Sequence, residues 1–180
     1  MQFAIHALDR TDSTQSEVAR LAAAGAPEGT VVTARHQRAG RGRRGREWWD
    51  APGESLLVSV LLRPPSPPAV VPQLSLVGAL AVVEAFALGG VTARIRWPND
   101  LLIDARKVCG ILAEASSGVS RAGTGILHHV ILGIGINLNQ TEFPESLAPR
   151  ATSLRLVTGR AHEAGPLRDA VLAHLARRYA

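Results

Sequence analysis

Five arginines and three glycines fall within nine positions, Arg38 to Arg46, in the stretch RHQRAGRGRRGREWWD (35–50). Guanidinium forks grip phosphate or carboxylate oxygens bidentately, and glycines let the backbone wrap closely around what is gripped. Trp48 and Trp49 at the end of the run offer a flat face for a base. GRGRRG (40–45) has the G-x-G-x-x-G spacing of a dinucleotide loop, but that loop opens a helix at its third glycine and is followed by an acidic residue about 20 positions on. Here Arg46-Glu47-Trp48-Trp49-Asp50-Ala51-Pro52-Gly53 follows, which is no helix start, and no Gly-Lys-Ser/Thr of a Walker A loop is present. Taken alone, the segment fits a clamp for an anionic ligand, an Arg/Gly RNA-binding segment or a solvated loop.

Two other features narrow this. Of the 20 basic residues, 19 are Arg and only Lys107 is Lys. In so arginine-rich a chain, a lone lysine marks a position that needs a compact, rotatable ammonium rather than a planar fork. In LGIGINLN (132–139), Leu132, Ile134, Ile136 and Leu138 take one face of a strand, and Gly133, Gly135, Asn137 and Asn139 take the other. Two glycines weaken a strand unless something must approach its backbone closely, so that face reads as the floor of a ligand site. RWPND (96–100) delivers Asn99 and Asp100 at a strand junction, because the residue before Pro98 is held extended. Cys109 reads as a packed core thiol. His128 and His129 have no metal-ligand spacing with other His or Cys.

The elements that must position these residues follow from pattern. QFAIHAL (2–8), TVVTARH (30–36) and SLLVSVLLR (55–63) read as strands. Thr14 and Glu17 have capping-box spacing, with a helix to about Ala24. PPSPP (64–68) is a stiff connector, and residues 71–88 form an apolar, buried helix ended by Gly89-Gly90. VTARIRW, LLID, KVCGILAEA and LHHVILGIGINL give four more strands, with a turn from Gly118 to Gly125, and Pro166 to Tyr179 forms an amphipathic helix. Hairpin-joined strands with interspersed helices predict one α+β domain over residues 1–180, with a mixed, largely antiparallel sheet flanked by helices.

Bulk properties set limits. Net charge is +5, and without the five loop arginines 15 basic residues face 15 acidic ones, so the excess charge belongs to the loop. A general nucleic-acid or membrane coat is therefore not expected. A single cysteine excludes an internal disulfide framework. No apolar run is read as approaching the roughly 18 residues that cross a bilayer, and the N-terminus has no basic start followed by an apolar core. The expectation is a cytoplasmic protein.

Ser13-Thr14 opening a helix, GRGRRGR-x-W (40–48), WPNDL (97–101), RKVCGIL (106–112) and GIGIN (133–137), in this order, resemble the biotin–protein ligases. The resemblance implies the biotin/lipoate ligase fold, related to class II aminoacyl-tRNA synthetases. It implies activation of biotin by ATP with Mg2+ to biotinyl-5′-AMP and pyrophosphate, then transfer to a lysine of a biotin carboxyl carrier domain, typically of acetyl-CoA carboxylase. It carries over Lys107, Arg41 and Arg43 as the catalytic set, with Arg41 and Arg43 over biotin and its adenylate. Ser13, Thr14 and Gln37 would serve the ureido head of biotin, with Gln15 among the other biotin-binding residues, Gly40 and Gly42 in the loop and Gly110 and Leu112 along the ring. Arg46 would reach the phosphates of ATP, Trp48 would stack near adenine, and Asn137 would face the nucleotide. No metal held by the protein itself is implied. Arg96 stands where the family usually has Lys. Family members with a DNA-binding helix-turn-helix, or with a C-terminal SH3-like domain, are also known; neither is expected here, nor is DNA or membrane binding, and a homodimer is left open. The alternatives are a lipoate–protein ligase, a biotin-binding paralogue without turnover, and an Arg/Gly RNA binder.

Overall fold

Residues apolar on both faces form the middle of the sheet. SLLVSVLL becomes β3 (Ser55–Leu62), buried along its whole length. The computed structural model describes residues 1–65, 67–119 and 125–180. Around β3 it places β1 (Ala4–Thr11), β2 (Thr30–Gln37), β4 (Arg94–Arg96), β5 (Asp100–Ile103), β6 (Arg106–Val119) and β7 (Gly125–Asn137). These make a seven-stranded sheet in the order β1-β2-β3-β7-β6-β5-β4. β1 and β2 are parallel, linked by helix α1 (Thr14–Ala23), and every other pair is antiparallel. The α+β class and mixed, largely antiparallel sheet are those expected from the sequence.

Helices α2 (Val71–Leu88) and α4 (Ala164–Tyr179) cover one face, over Leu56, Val58, Val60, Leu132, Ile134 and Ile136. Helix α1 covers part of the other, with Val18 and Ala22 on Val32, Leu61 and Ile131. Each buried side chain of this size contributes about 1.5–3 kcal/mol, so the two layers fix the sheet firmly. Beyond α1 the second face carries Ser59, Gly110, Gly133 and Gly135 in place of large side chains, and a cleft lies over them.

Several expectations need correction. The first strand starts and ends later than residues 2–8, because its ladder with β2 runs on to Thr11 opposite Gln37. The capping box is not made: Ser13 is the N-cap, no side chain caps the helix, and the Thr14 hydroxyl is bound elsewhere. A helix spanning Pro68–Leu88 is long and apolar enough to cross a bilayer, contrary to the sequence reading, and here it packs on the sheet. A short helix α3 (Leu154–Thr158), capped by Ser153 Oγ accepting from the Leu156 N–H at 3.1 Å, was not foreseen. The β5–β6 hairpin turns on Asp104 and Ala105, both at positive φ (47° and 64°), a turn that lacks its usual glycine. Residues 120–124 of the expected Gly118–Gly125 turn, and Ser66 of the proline connector, lie outside the described residues.

Candidate functional site

One irregularity puts the lone lysine at the cleft. Lys107 and Gly110 are three residues apart, so strict alternation would place them on opposite faces. Between β5 and β6 the register slips: Leu101 pairs with Cys109 and Leu102 with Lys107, leaving Val108 as an extra residue. This bulge turns both Val108 and Cys109 into the core, at 0% exposure, and brings Lys107 onto the face of Gly110 and Leu112. Burial pushes the Cys109 thiol far above its usual range, consistent with an inert core residue.

The Lys107 ammonium lies 2.7 Å from Asp100 Oδ1 and 5.5 Å from the centroid of the Trp48 ring, within cation–π range. Asp100 Oδ2 accepts from Arg96 at 2.6 Å. Burial alone would raise the Asp100 pKa; hydrogen bonds from Lys107 and Arg96 outweigh it and hold the carboxyl below its ordinary range. The Lys107 backbone is clamped as well. Its N–H donates to Arg150 O at 2.8 Å, and its carbonyl accepts from the Thr152 N–H at 2.9 Å. Asn137 Nδ2 donates to Thr152 O at 3.0 Å and reaches Lys107 O at 3.4 Å. Asn137 is thus buried behind Lys107 rather than lining the cleft.

At the opposite wall, Gln37 Oε1 accepts from the Thr14 N–H at 2.8 Å and from Thr14 Oγ1 at 3.0 Å. With the Thr14 proton committed, the 2.8 Å contact to Ser59 has Ser59 as donor. Three buried polar atoms facing this region have no hydrogen-bond partner: Ser13 Oγ, Gln15 Oε1 and Trp48 Nε1. Such atoms are rare in folded proteins, because an unpaired buried polar group costs about 1–3 kcal/mol.

The arginine loop closes the cleft from above. Arg41 donates to Glu114 Oε2 at 2.7 Å, and Arg43 donates to Asn99 Oδ1 at 3.0 Å. Asn99 is itself fixed by Nδ2 donating to Ile111 O at 2.9 Å. At the loop's far end the buried Asp50 accepts from His36 Nδ1 at 2.9 Å. The glycines predicted to bare the strand for a ligand are covered by the chain's own side chains. A Cβ on Gly135 would lie 2.7 Å from the Trp48 ring, one on Gly110 2.9 Å from it, and one on Gly133 2.9 Å from Gln15 Oε1. The remaining free volume is about 60 Å3, well below the roughly 300 Å3 at which ordinary ligand pockets begin. A ring-bearing ligand enters only if Trp48 and the loop shift.

Of the residues singled out from sequence, the cleft brings together Ser13, Thr14, Gln15, Gln37, Arg41, Gly42, Arg43, Trp48, Lys107, Gly110 and Leu112. Gly40, Arg46 and Asn137 are not in its lining. Gly40 is buried, its carbonyl accepting from the Trp48 N–H at 2.9 Å, and Arg46 is exposed. Asn99, delivered by the WPND junction, and Gly133 and Gly135, read as the floor of a site, line the cleft as well, and Ser59, which the sequence reading missed, joins them. A lone serine in the middle of an apolar strand was the signal for Ser59. Among the described residues, no group of three or more His, Cys, Asp or Glu gathers as a metal site.

The model of the Biotin/lipoate A/B protein ligase family matches residues 7–137. The "Bifunctional ligase/repressor BirA" of Bacillus subtilis (strain 168) is 43% identical over 154 residues, 84% of this chain and 46% of that protein. The "Biotin--[acetyl-CoA-carboxylase] ligase" of Paracoccus denitrificans is 43% identical over 148 residues, 81% of this chain and 59% of that protein. The chain thus spans about half the length of these relatives. Among solved structures, the biotin protein ligase from Aquifex aeolicus in complex with biotin and ATP superimposes with a TM-score of 0.81 at 34% identity, covering 97% of this chain and 69% of that one.

Proposed function

This chain belongs to the biotin/lipoate A/B protein ligase family, and from that premise we propose that it activates biotin with Mg-ATP and transfers it to a lysine of a biotin carboxyl carrier domain of acetyl-CoA carboxylase. The observation that carries the reading is one cleft holding three unpartnered buried polar atoms, of Ser13, Gln15 and Trp48, beside the chain's single lysine and two loop arginines. That set suits a ligand with a compact polar head at one end and a carboxylate at the other. Relatives named for this ligation, and the Aquifex structure described with biotin and ATP, support the choice.

The first step brings two anions together: a biotin carboxylate oxygen attacks the α-phosphorus, its bond to the β-phosphate oxygen breaks, and pyrophosphate leaves. Lys107, held in place by Asp100, supplies the positive charge where negative charge accumulates. Arg41 and Arg43 add charge from the loop, with Arg46 within the same loop for the outer phosphates. In the second step the amine of the carrier lysine attacks the acyl carbon, the carbon–oxygen bond to AMP breaks, and the amine's extra proton goes to solvent. The mixed anhydride between the steps is hydrolysable, and a loop folded over it keeps water out. The Mg2+ enters with the nucleotide.

The test is biotin-dependent pyrophosphate release from Mg-ATP, with and without a biotin carrier domain. Release together with labelled carrier supports the reading. Tight binding of lipoate with none of biotin moves the substrate within the family, and steeply salt-dependent RNA binding indifferent to biotin overturns it.

A further inference from the structure

Glu114 is not part of the cleft lining, yet it touches both of its walls. It sits on β6, two and four residues beyond Leu112 and Gly110, on the same face. Its Oε2 accepts from Gln15 Nε2 at 2.9 Å and from Arg41 Nη2 at 2.7 Å. Gln15 belongs to α1 and Arg41 to the loop, so one oxygen ties the head-binding wall to the lid.

The two contacts have different consequences. A carboxylate only accepts, so it holds the NH2 end of the Gln15 amide toward itself. The amide oxygen then points the other way, over Gly133, where it is buried and unpartnered. Had the amide turned over, its oxygen would face a carboxylate oxygen. Glu114 therefore sets the polarity of that wall as an acceptor, which is what the N–H of a cyclic urea requires. The contact to Arg41 is between side chains 44% and 40% exposed, and pairs in such a setting add little stability. Its effect is on where the loop rests.

Resting on the ligase reading above, we infer that Glu114 is a positioning residue that orients Gln15 to accept from the ligand's ureido N–H and latches Arg41 of the loop across the cleft, coupling head recognition to retention of the adenylate. Glu114→Gln keeps size and shape but puts an NH2 group where only an acceptor served, so the Gln15 amide is free to turn over and Arg41 loses its anion.

The experiment measures biotin KM and kcat for pyrophosphate release, biotin affinity by calorimetry, and pyrophosphate released per biotin transferred, for wild type, Glu114→Gln and Glu114→Ala. Both variants are expected to raise biotin KM and Kd by about tenfold or more. The kcat for adenylation should stay within about threefold, and the pyrophosphate released per transfer should rise several-fold. The Tm should stay close to wild type, since the side chain is partly exposed. Biotin KM and Kd within twofold of wild type overturn the inference, as does an equal fall in kcat and Tm, which marks a merely structural role. A wild-type chain that neither binds biotin nor releases pyrophosphate overturns the parent reading instead, and the inference with it.

Discussion

Lys107 is fixed at its head by Asp100 and at its backbone by residues 150–152. Its ammonium lies close over Gly110, 3.0 Å from where a Cβ there would be. Lys107→Arg keeps the charge and loses the geometry. It is expected to slow adenylate formation by about 100-fold, near 2.7 kcal/mol of transition-state stabilisation, with biotin affinity reduced less than about tenfold. Single-turnover kinetics beside calorimetry would check this, and wild-type rates in the variant would undo the reading of the lone lysine. Asp100 adds a pH signature. Its folded pKa lies below the ordinary value of 3.8. A depressed carboxylate contributes stability above its unfolded pKa and loses it as pH falls through the folded one. The stability advantage of wild type over Asp100→Asn, measured by chemical denaturation, is therefore expected to be flat from neutral pH to about 5 and to shrink steadily below 3.8. An advantage that grows on acidification would contradict the ion pair.

At the scale of elements, β6 works because it is not regular. The bulge at Val108 turns Lys107 to the cleft, and the hairpin before it sets where the bulge falls. That hairpin turns on Asp104 and Ala105 in the left-handed region, which costs a residue with a Cβ roughly 1–2 kcal/mol. Ala105→Gly is expected to remove about 1 kcal/mol of that strain, raising the denaturant midpoint without altering biotin binding. A lower midpoint would show that Ala105 makes contacts outweighing its strain. The loop from Arg38 to Trp48 is likewise an element with set ends. Its near end is tied to the end of β1 and the residue after it, where Arg38 N and Ala39 N donate to Thr11 O and Asp12 O. Its far end is tied through Asp50 to His36. Between them Trp48 lies on Gly110 and Gly135, so loop position and cleft volume change together.

For the molecule as a whole, the excess positive charge is confined to that loop, above an otherwise balanced surface. A multiply charged nucleotide feels this field more than a singly charged biotin does, and exposed charge is screened within about 10 Å at 0.1 M salt. Raising ionic strength from about 0.05 to 0.5 M is expected to raise the KM for ATP several-fold and the KM for biotin by less than twofold. Equal sensitivity of the two would place nucleotide binding away from the loop. The rest of the fold serves rigidity: α2 and α4 seal one face of the sheet, so the other can stay free of helix where the cleft lies.

The sequence by itself determined the features that depend on local periodicity and residue type. The face alternation of β7 was legible because a strand repeats every two residues, and α2 because its ends carry proline and glycine. The basic loop and the single lysine were legible because their chemistry is unusual wherever they fold. Only the tertiary structure decided who touches whom. Thr14 forsakes its expected partner Glu17 for Gln37, 23 positions away. Gly135 makes room for Trp48, and Asn137 turns behind Lys107 instead of toward the cleft. Lys107 reaches the cleft only through a register slip with β5, and Glu114 joins two walls that are distant in sequence. Each of these is a choice among competing partners, settled by packing and by the need to pair buried polar groups, and neither has a local pattern to announce it.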